Sequence, residues 1–528
     1  MPFIGEIAEL ILGGDGLTGT RNQALIAPGQ LINARNLTYE NGTLQKEGGS
    51  VKFTGSAITG TPAILGGIDW HPTTSLQRSV ILGDNGKLYR DTGDGSYGTT
   101  LKSSLSTPTE IPVFIEAGAE VAANNKKLFI CTGTNAIQVI SGDATTTTDY
   151  GTPAADWSGS NHPTAGLIHE NKFWAFGNAN DPHRAYYSVS TDHEDMTSTG
   201  SGSLAIYPGV GEKIVAGISF KGLLVLWKFP KGIFFVDTSN SDVTKWRVIK
   251  HSSDVGGISP LGVALTDDDV VFLDHTGSLY SLSAVNAFGD IASANLSRTS
   301  DMHVFVRNEV DQSKFSGSQM IYYVDKRQLH ITMSSSTNTW NRRLVMDLNR
   351  SDKLRFSMSD KDINRSIWLY TDSNGIDRPR TGDNTGDVWN LDQETRSVDG
   401  SGFTGLFQSP HLDLSHIDPS LGVRKKNGKF LELVVEPKGN FNLNVDILWD
   451  DAISDTLQFN LGSTGATLGT FVLGTDKLAG SNLLSKKHRI TGSGRRISLI
   501  GRNNGAGQDF SVMKFYLMFT RGNDLAAT

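Results

Sequence analysis

Short runs of β-branched and aromatic residues, broken every few positions by clusters of Gly, Asp and Asn, fill most of the chain. Residues 262–282 show the unit most clearly. Val270, Val271, Phe272 and Leu273 form one apolar run, Asp274-His275-Thr276-Gly277 is a turn sequence, and Leu279, Tyr280 and Leu282 resume the strand. Gly277 supplies the positive φ that such a turn demands. β-rich runs paired across turn residues predict hairpins.

Looser copies recur over residues 61–398. The first runs from Ile64 through Trp70 to Ser79-Val80-Ile81-Leu82 and, past the turn Gly83-Asp84-Asn85-Gly86, to Lys87-Leu88-Tyr89-Arg90. Others occupy 113–140 (turn Asn124-Asn125), 169–189, 214–237, 262–282, 319–346 and 354–391. A period of about 40–50 residues is that of propeller blades. A sheet of three or four strands cannot bury both its faces alone, and radial packing around an axis solves this. The expectation is an all-β chain whose body is a β-propeller of six or seven irregular blades.

The ends read differently. Residues 1–60 form an N-terminal arm, with a helix or strand at 4–12, a turn at Ala27-Pro28-Gly29 and a hairpin turned at Asn41-Gly42. Residues 301–315 suggest a short helix between blades, and 145–149 and 197–203 are low-complexity loops. From 399 to 528 the strands lengthen, at 429–436, 440–449, 457–460, 469–473, 496–500 and 510–519. Leu443, Val445, Ile447 and Trp449 alternate onto one face, which predicts a C-terminal β-sandwich.

Composition agrees with many turns. Hydrophobic residues make up 38% of the 528, and 58 glycines help to fill the deficit. A formal charge of −7 gives no basic footprint for gripping nucleic acid and is compatible with a conduit for a polyanion. The single cysteine, Cys131, excludes an internal disulfide framework and multi-cysteine zinc sites, and its apolar neighbours predict a buried thiol. No basic start precedes residues 5–12, Glu6 and Glu9 interrupt them, and no apolar stretch is long enough to span a bilayer. Neither a secretory leader nor a membrane-spanning segment is expected.

Candidate chemistry is thin. Asp84, Asp94, Asp274, Asp325 and Asp372 sit at turn positions, where Asp serves the local backbone, and the Asp-box of sialidase blades is missing. His162, His169, His183 and His193 cluster in sequence without zinc-motif spacing. The loops 91–95 and 382–387 are oxygen-rich enough for calcium but do not fit an EF-hand. Phosphate-loop, dinucleotide and nucleophile-elbow patterns do not occur. Arg424-Lys425-Lys426 with Lys429, and Lys486-Lys487-His488-Arg489 with Arg495-Arg496, are basic clusters at strand ends, either solvated or docking an acidic partner. Trp70, Trp174, Trp227, Trp340, Trp368 and Trp389 are blade-packing rings or sugar platforms. No catalytic, cofactor-binding or metal-binding residue is assigned, and the chain is read as a non-enzyme.

Asn33-Ala34-Arg35-Asn36-Leu37, followed by residues 42–49 (GTLQKEGG), resembles the start of tail nozzle or tail hub proteins of short-tailed bacteriophages. The pattern N-x-x-x-x-x-G-x-L-x-K/R-x-x-G leads into a propeller there, and Asn36, Gly42, Leu44, Lys46 and Gly49 fill it here. Glu47 departs from the second base or proline of many relatives. The pairs 214–218/223–227 and 255–258/270–282 resemble mid-propeller strands of that family. The resemblance implies a virion tail protein, synthesised in the host cytoplasm, that assembles into a homo-oligomeric ring, usually of six copies. It implies an adaptor or head-completion protein above, tail fibres or a needle or plug as partners, and viral double-stranded DNA passing without sequence-specific binding. The alternative is a glycan-binding or glycan-degrading propeller. An intracellular scaffold is the weakest reading, since the repeats lack the WD signature.

Overall fold

The computed structural model describes residues 5–522 except 21, 23–24, 41–42, 74, 107–110, 119–125, 253, 284–294, 299, 336–338, 351–353 and 463–482. The turns expected at Asn41-Gly42 and Asn124-Asn125 and the strand at 469–473 lie outside the described residues.

Among the described residues, seven antiparallel sheets follow one another along the chain, and the first strand of each neighbours the first strand of the next. Those first strands are Ile64–Thr73, Val113–Ala117, Ala165–His169, Lys213–Phe220, Val263–Leu265, Met320–Tyr323 and Ser366–Thr371, and the last returns to the first. The body is therefore a closed β-propeller. Apolar clusters lie between successive blades: Trp70, Val80 and Leu82 meet Leu128 and Ile130, and Trp227 meets Phe272. Trp70, Trp174 and Trp227 are completely enclosed.

Three of the hairpin turns share one construction. Asp274 accepts hydrogen bonds from the backbone N–H of Thr276 and Ser278, both at 2.9 Å, while Gly277 takes φ 78°. Asp372 does the same with Asn374 and Ile376, and Asp383 with Thr385 and Asp387. The carboxylate supplies acceptors that the tight turn otherwise lacks.

The seventh blade, Ser366–Thr371, Asp377–Gly382 and Val388–Gln393, takes its fourth strand, Gly49–Lys52, from the chain's beginning. The ring is thus closed by strands far apart in sequence. Residues 354–358, expected in the seventh unit, instead form the outer strand of the sixth, Arg355–Ser359, paired with Arg342–Asp347. Leu344, Val345 and Met346 stand opposite Met358, Ser357 and Phe356 in one antiparallel ladder, which assigns the run to the sixth sheet.

The other early strands are also spent inside the chain. Asn33–Arg35 lies between Arg355–Ser359 and Gly405–Gln408, so the sixth blade continues through it into Ile497–Asn503, Asn442–Trp449 and Ala452–Asn460. A second sheet orders Leu484–Arg489, Lys426–Val435, Ser511–Arg521, Thr43–Lys46 and Leu37–Glu40, with Glu6–Leu10 also on Ser511–Arg521. Leu443, Val445 and Ile447 from the first of these sheets and Leu431, Leu433 and Leu517 from the second belong to one buried cluster. Trp449 joins them, so the predicted apolar face is buried as a unit. The helix Met302–Glu309 lies between the fifth and sixth blades, as its sequence suggests. No helix among the described residues is long and apolar enough to cross a membrane.

Candidate functional site

Chemistry-bearing side chains gather at a junction and around a cavity, among other places. The first is where the early strands, blades six and seven and the C-terminal sheets meet. Asn36 adopts φ 53°, a conformation Asn tolerates better than most residues. Its Oδ1 accepts from the N–H of Asp360 at 2.8 Å, and its Nδ2 donates to Asp360 Oδ1 and the Thr404 carbonyl, each at 2.8 Å. Lys46 is fully buried; Nζ donates to Asn503 Oδ1 and the Gly505 carbonyl at 3.1 Å and lies over the Phe403 ring. Burial pushes the Lys46 ammonium down to about 8.

Next to it, Glu47 pairs with Arg343, whose side chain is wholly inaccessible. Arg343 also donates to Asn364 Oδ1 at 3.2 Å and Ser359 Oγ at 3.1 Å. Asp362 accepts from Ser50 Oγ at 2.6 Å and pairs with Lys361. Burial alone would raise the Asp362 carboxyl, but Lys361 and Arg343 outweigh it and hold it below the usual range. Gly49 admits no side chain, because a Cβ would fall 2.3 Å from the Ser397 carbonyl oxygen. This junction fastens three parts of the chain. Most of its polar groups bond to one another, although Glu47 Oε2 and Arg343 Nε are buried without a hydrogen-bond partner.

The second place is a cavity of about 520 Å³ at one end of the propeller axis. Leu65 and Val215 of inner strands line it, together with Ile111, Ile258 and Arg365 from the segments just before inner strands. Phe229, Trp340, Lys213 and Lys314 also line it. The Arg365 guanidinium lies 4.7 Å from the centre of the Trp340 ring.

The residues singled out from sequence do not converge. Asp84 accepts from Ala63 N–H, Asp94 from Thr92 Oγ1 and Ser96 N–H, and Asp325 receives a long 3.4 Å contact from Tyr323. In the first oxygen-rich loop, Asp91 accepts from Ser79 and Gly93. In the second, Asp383 also holds Trp389 Nε1, and Asp387 pairs with Lys52 and Thr54. His162 contacts the Gly159 carbonyl, His169 bridges Ser219 and Thr238, His183 accepts from Lys228 Nζ, and His193 contacts the Asn171 carbonyl. Among the described residues no group of three His, Cys, Asp or Glu is arranged to hold a metal. Cys131 is buried, and its surroundings push the thiol far up.

Of the six named tryptophans, all but Trp389 are buried. Trp368 Nε1 donates to Asp69 Oδ1 at 2.9 Å, so its polar edge is used internally. The second basic cluster lies on the strand Leu484–Arg489 beside Lys426–Val435, where Lys487 stands opposite Glu432 and Arg489 opposite Phe430. Lys426 is buried and donates to the Arg495 carbonyl, so it is not a solvated turn charge.

Sequence reading missed Arg343, Asp362 and Arg365. A charged residue directly before the apolar run Leu344-Val345-Met346 was the available signal for Arg343. Nothing local marks Arg365, whose neighbours come from other blades.

No family model matches the chain, and no curated protein matches it. Among solved structures it is similar to the computationally designed Ika8 protein (13% identity, TM-score 0.38, covering 65% of this chain and 99% of that one). It is also similar to U3-55K (8% identity, TM-score 0.40, 65% and 98% covered). A third similarity is to YCF48 bound to D1 peptide (10% identity, TM-score 0.39, 68% and 97% covered).

Proposed function

We propose that this chain is a structural virion protein, a ring-forming tail nozzle or hub that extends the DNA ejection channel. One observation supports the reading above others. Asn36, Leu44, Lys46 and Gly49, which carry the resemblance to that family, are the residues that fasten the early strands to the propeller and the C-terminal sheets. Glu47, where the pattern departs, has a local purpose as the partner of Arg343.

A nozzle must pass a stiff polyanion under load without deforming, and a body sewn together by long-range strand exchange is suited to that duty. The adaptor above, the fibres or plug on the flanks and the passing DNA are partners in this proposal. The early strands would not swing between neighbours, because Leu10, Leu12, Leu17 and Leu31 are buried in the chain's own core. Glycan binding gains no support from the tryptophans, since five of the six pack internally.

Mass photometry of the purified protein tests the reading. A species near 340 kDa, six times 57.0 kDa, is expected for the protein alone, and a heavier one with the adaptor bound. A strict monomer that also fails to enter particles, or one that depolymerises a polysaccharide, would overturn it.

A further inference from the structure

The axial cavity has a chemistry that a passive ring does not require. Its wall mixes apolar side chains, Val215, Phe229 and Ile258 among them, with the cations Arg365, Lys314 and Lys213, the last opposite Phe229 on the neighbouring strand. No carboxylate lines it among the described residues. Asp311, at the foot of the segment bearing Lys314, turns its carboxylate to Ser313 N–H and Oγ. Asp84 acts on Arg365 electrostatically but without a hydrogen bond or ion pair between them among the described residues.

We propose that this cavity binds a small organic anion, one with an apolar or aromatic body and an oxyanion head gripped by Arg365. The guanidinium is already oriented. It stacks on Trp340, and Trp340 is fixed in turn against Gly317, where a Cβ would come within 2.8 Å of the indole. Stacking leaves the edge of a guanidinium, the face that grips oxyanions, as its remaining binding surface. Burial depresses the Arg365 guanidinium, the mark of a cation held where water stabilises it poorly. Such a charge without an ion-pair partner is costly, and a bound anion offsets that cost. A volume of about 520 Å³ lies within the range of small-molecule sites and takes a body larger than a bare inorganic ion. This inference is independent of the tail reading.

The probe is 8-anilinonaphthalene-1-sulfonate, an aromatic body with one anionic head, titrated by fluorescence into the folded full-length protein. Its neutral relative N-phenyl-1-naphthylamine serves as the uncharged control. We expect one saturable site per chain. Arg365→Gln should weaken the sulfonate probe about tenfold or more, as loss of a charge-assisted bond does, and leave the neutral probe within twofold. Lys314→Gln, at a half-exposed position of the short helix Gln312–Gly317, should weaken the sulfonate probe severalfold and keeps the test valid if the arginine variant misfolds. Inorganic phosphate should compete only weakly, since it lacks the body. No saturable binding, equal loss of both probes, or competition by phosphate as strong as by the organic anion would overturn the proposal.

Discussion

Replacing Arg343 by Met tests whether the buried junction fastens the chain. Arg343 has no accessible side-chain surface, and Glu47, only 10% exposed, loses its one charged partner among the described residues when the guanidinium goes. Asp362, 4.0 Å from Arg343, keeps Lys361 as a neutralising neighbour, so one carboxylate rather than two is stranded. Stranding one buried charge costs about 3–5 kcal/mol, and the retained lysine points to the lower end. About 3 kcal/mol corresponds to roughly a hundredfold change in a local opening equilibrium. Hydrogen–deuterium exchange followed by mass spectrometry reads this directly. Peptides spanning 43–52 and 342–364 should exchange about a hundredfold faster in the variant, while blades two to four stay unchanged. Adding Glu47→Met should recover part of the loss, because no unpaired charge remains. Exchange within threefold of the parent, or acceleration spread evenly over the molecule, would refute the reasoning.

Other expectations follow from the same packing. Lys228 is fully enclosed, donates to the Tyr207 and Val210 carbonyls, and is pushed down to about 8 by burial. Its folded value lies below its unfolded one, so the unfolded chain holds the extra proton between about pH 8 and 10.5 and stability rises with pH there. Against Lys228→Met, the parent's urea midpoint should therefore climb from pH 8 to pH 10, and a parallel pair of curves would contradict this. Gly49→Ala forces a Cβ to within 2.3 Å of the Ser397 carbonyl oxygen, and the seventh blade should loosen by about 1–3 kcal/mol, visible as faster proteolysis near residues 49–52 and 388–398. Unchanged cleavage would show that the early strand does not clamp the ring.

The blades were legible because each carries its own evidence. Val270 to Leu273, the Asp-x-x-Gly turn and Leu279 to Leu282 lie within one hairpin, and local chemistry specifies it. The seven repeats and the helix at 302–309 could be read the same way. The assignment of 354–358 failed because apolar alternation shows that a strand exists, not which sheet it joins. The roles of Asn33–Arg35 and Gly49–Lys52 were hidden for a similar reason: their partners lie more than three hundred residues away. The junction was half legible. Asn36, Lys46 and Gly49 stand in a recognisable pattern, but Arg343 and Asp362 reach them only through the closed ring. Arg365 and Trp340 meet across two blades, and no spacing in the chain announces that cavity.

Cryo-electron microscopy of the purified protein with its adaptor tests the central claim most directly. Closed rings around a continuous channel are expected, each subunit keeping its own residues 49–52 in its seventh blade. Isolated single subunits under all conditions, or subunits that exchange these strands with neighbours, would contradict it.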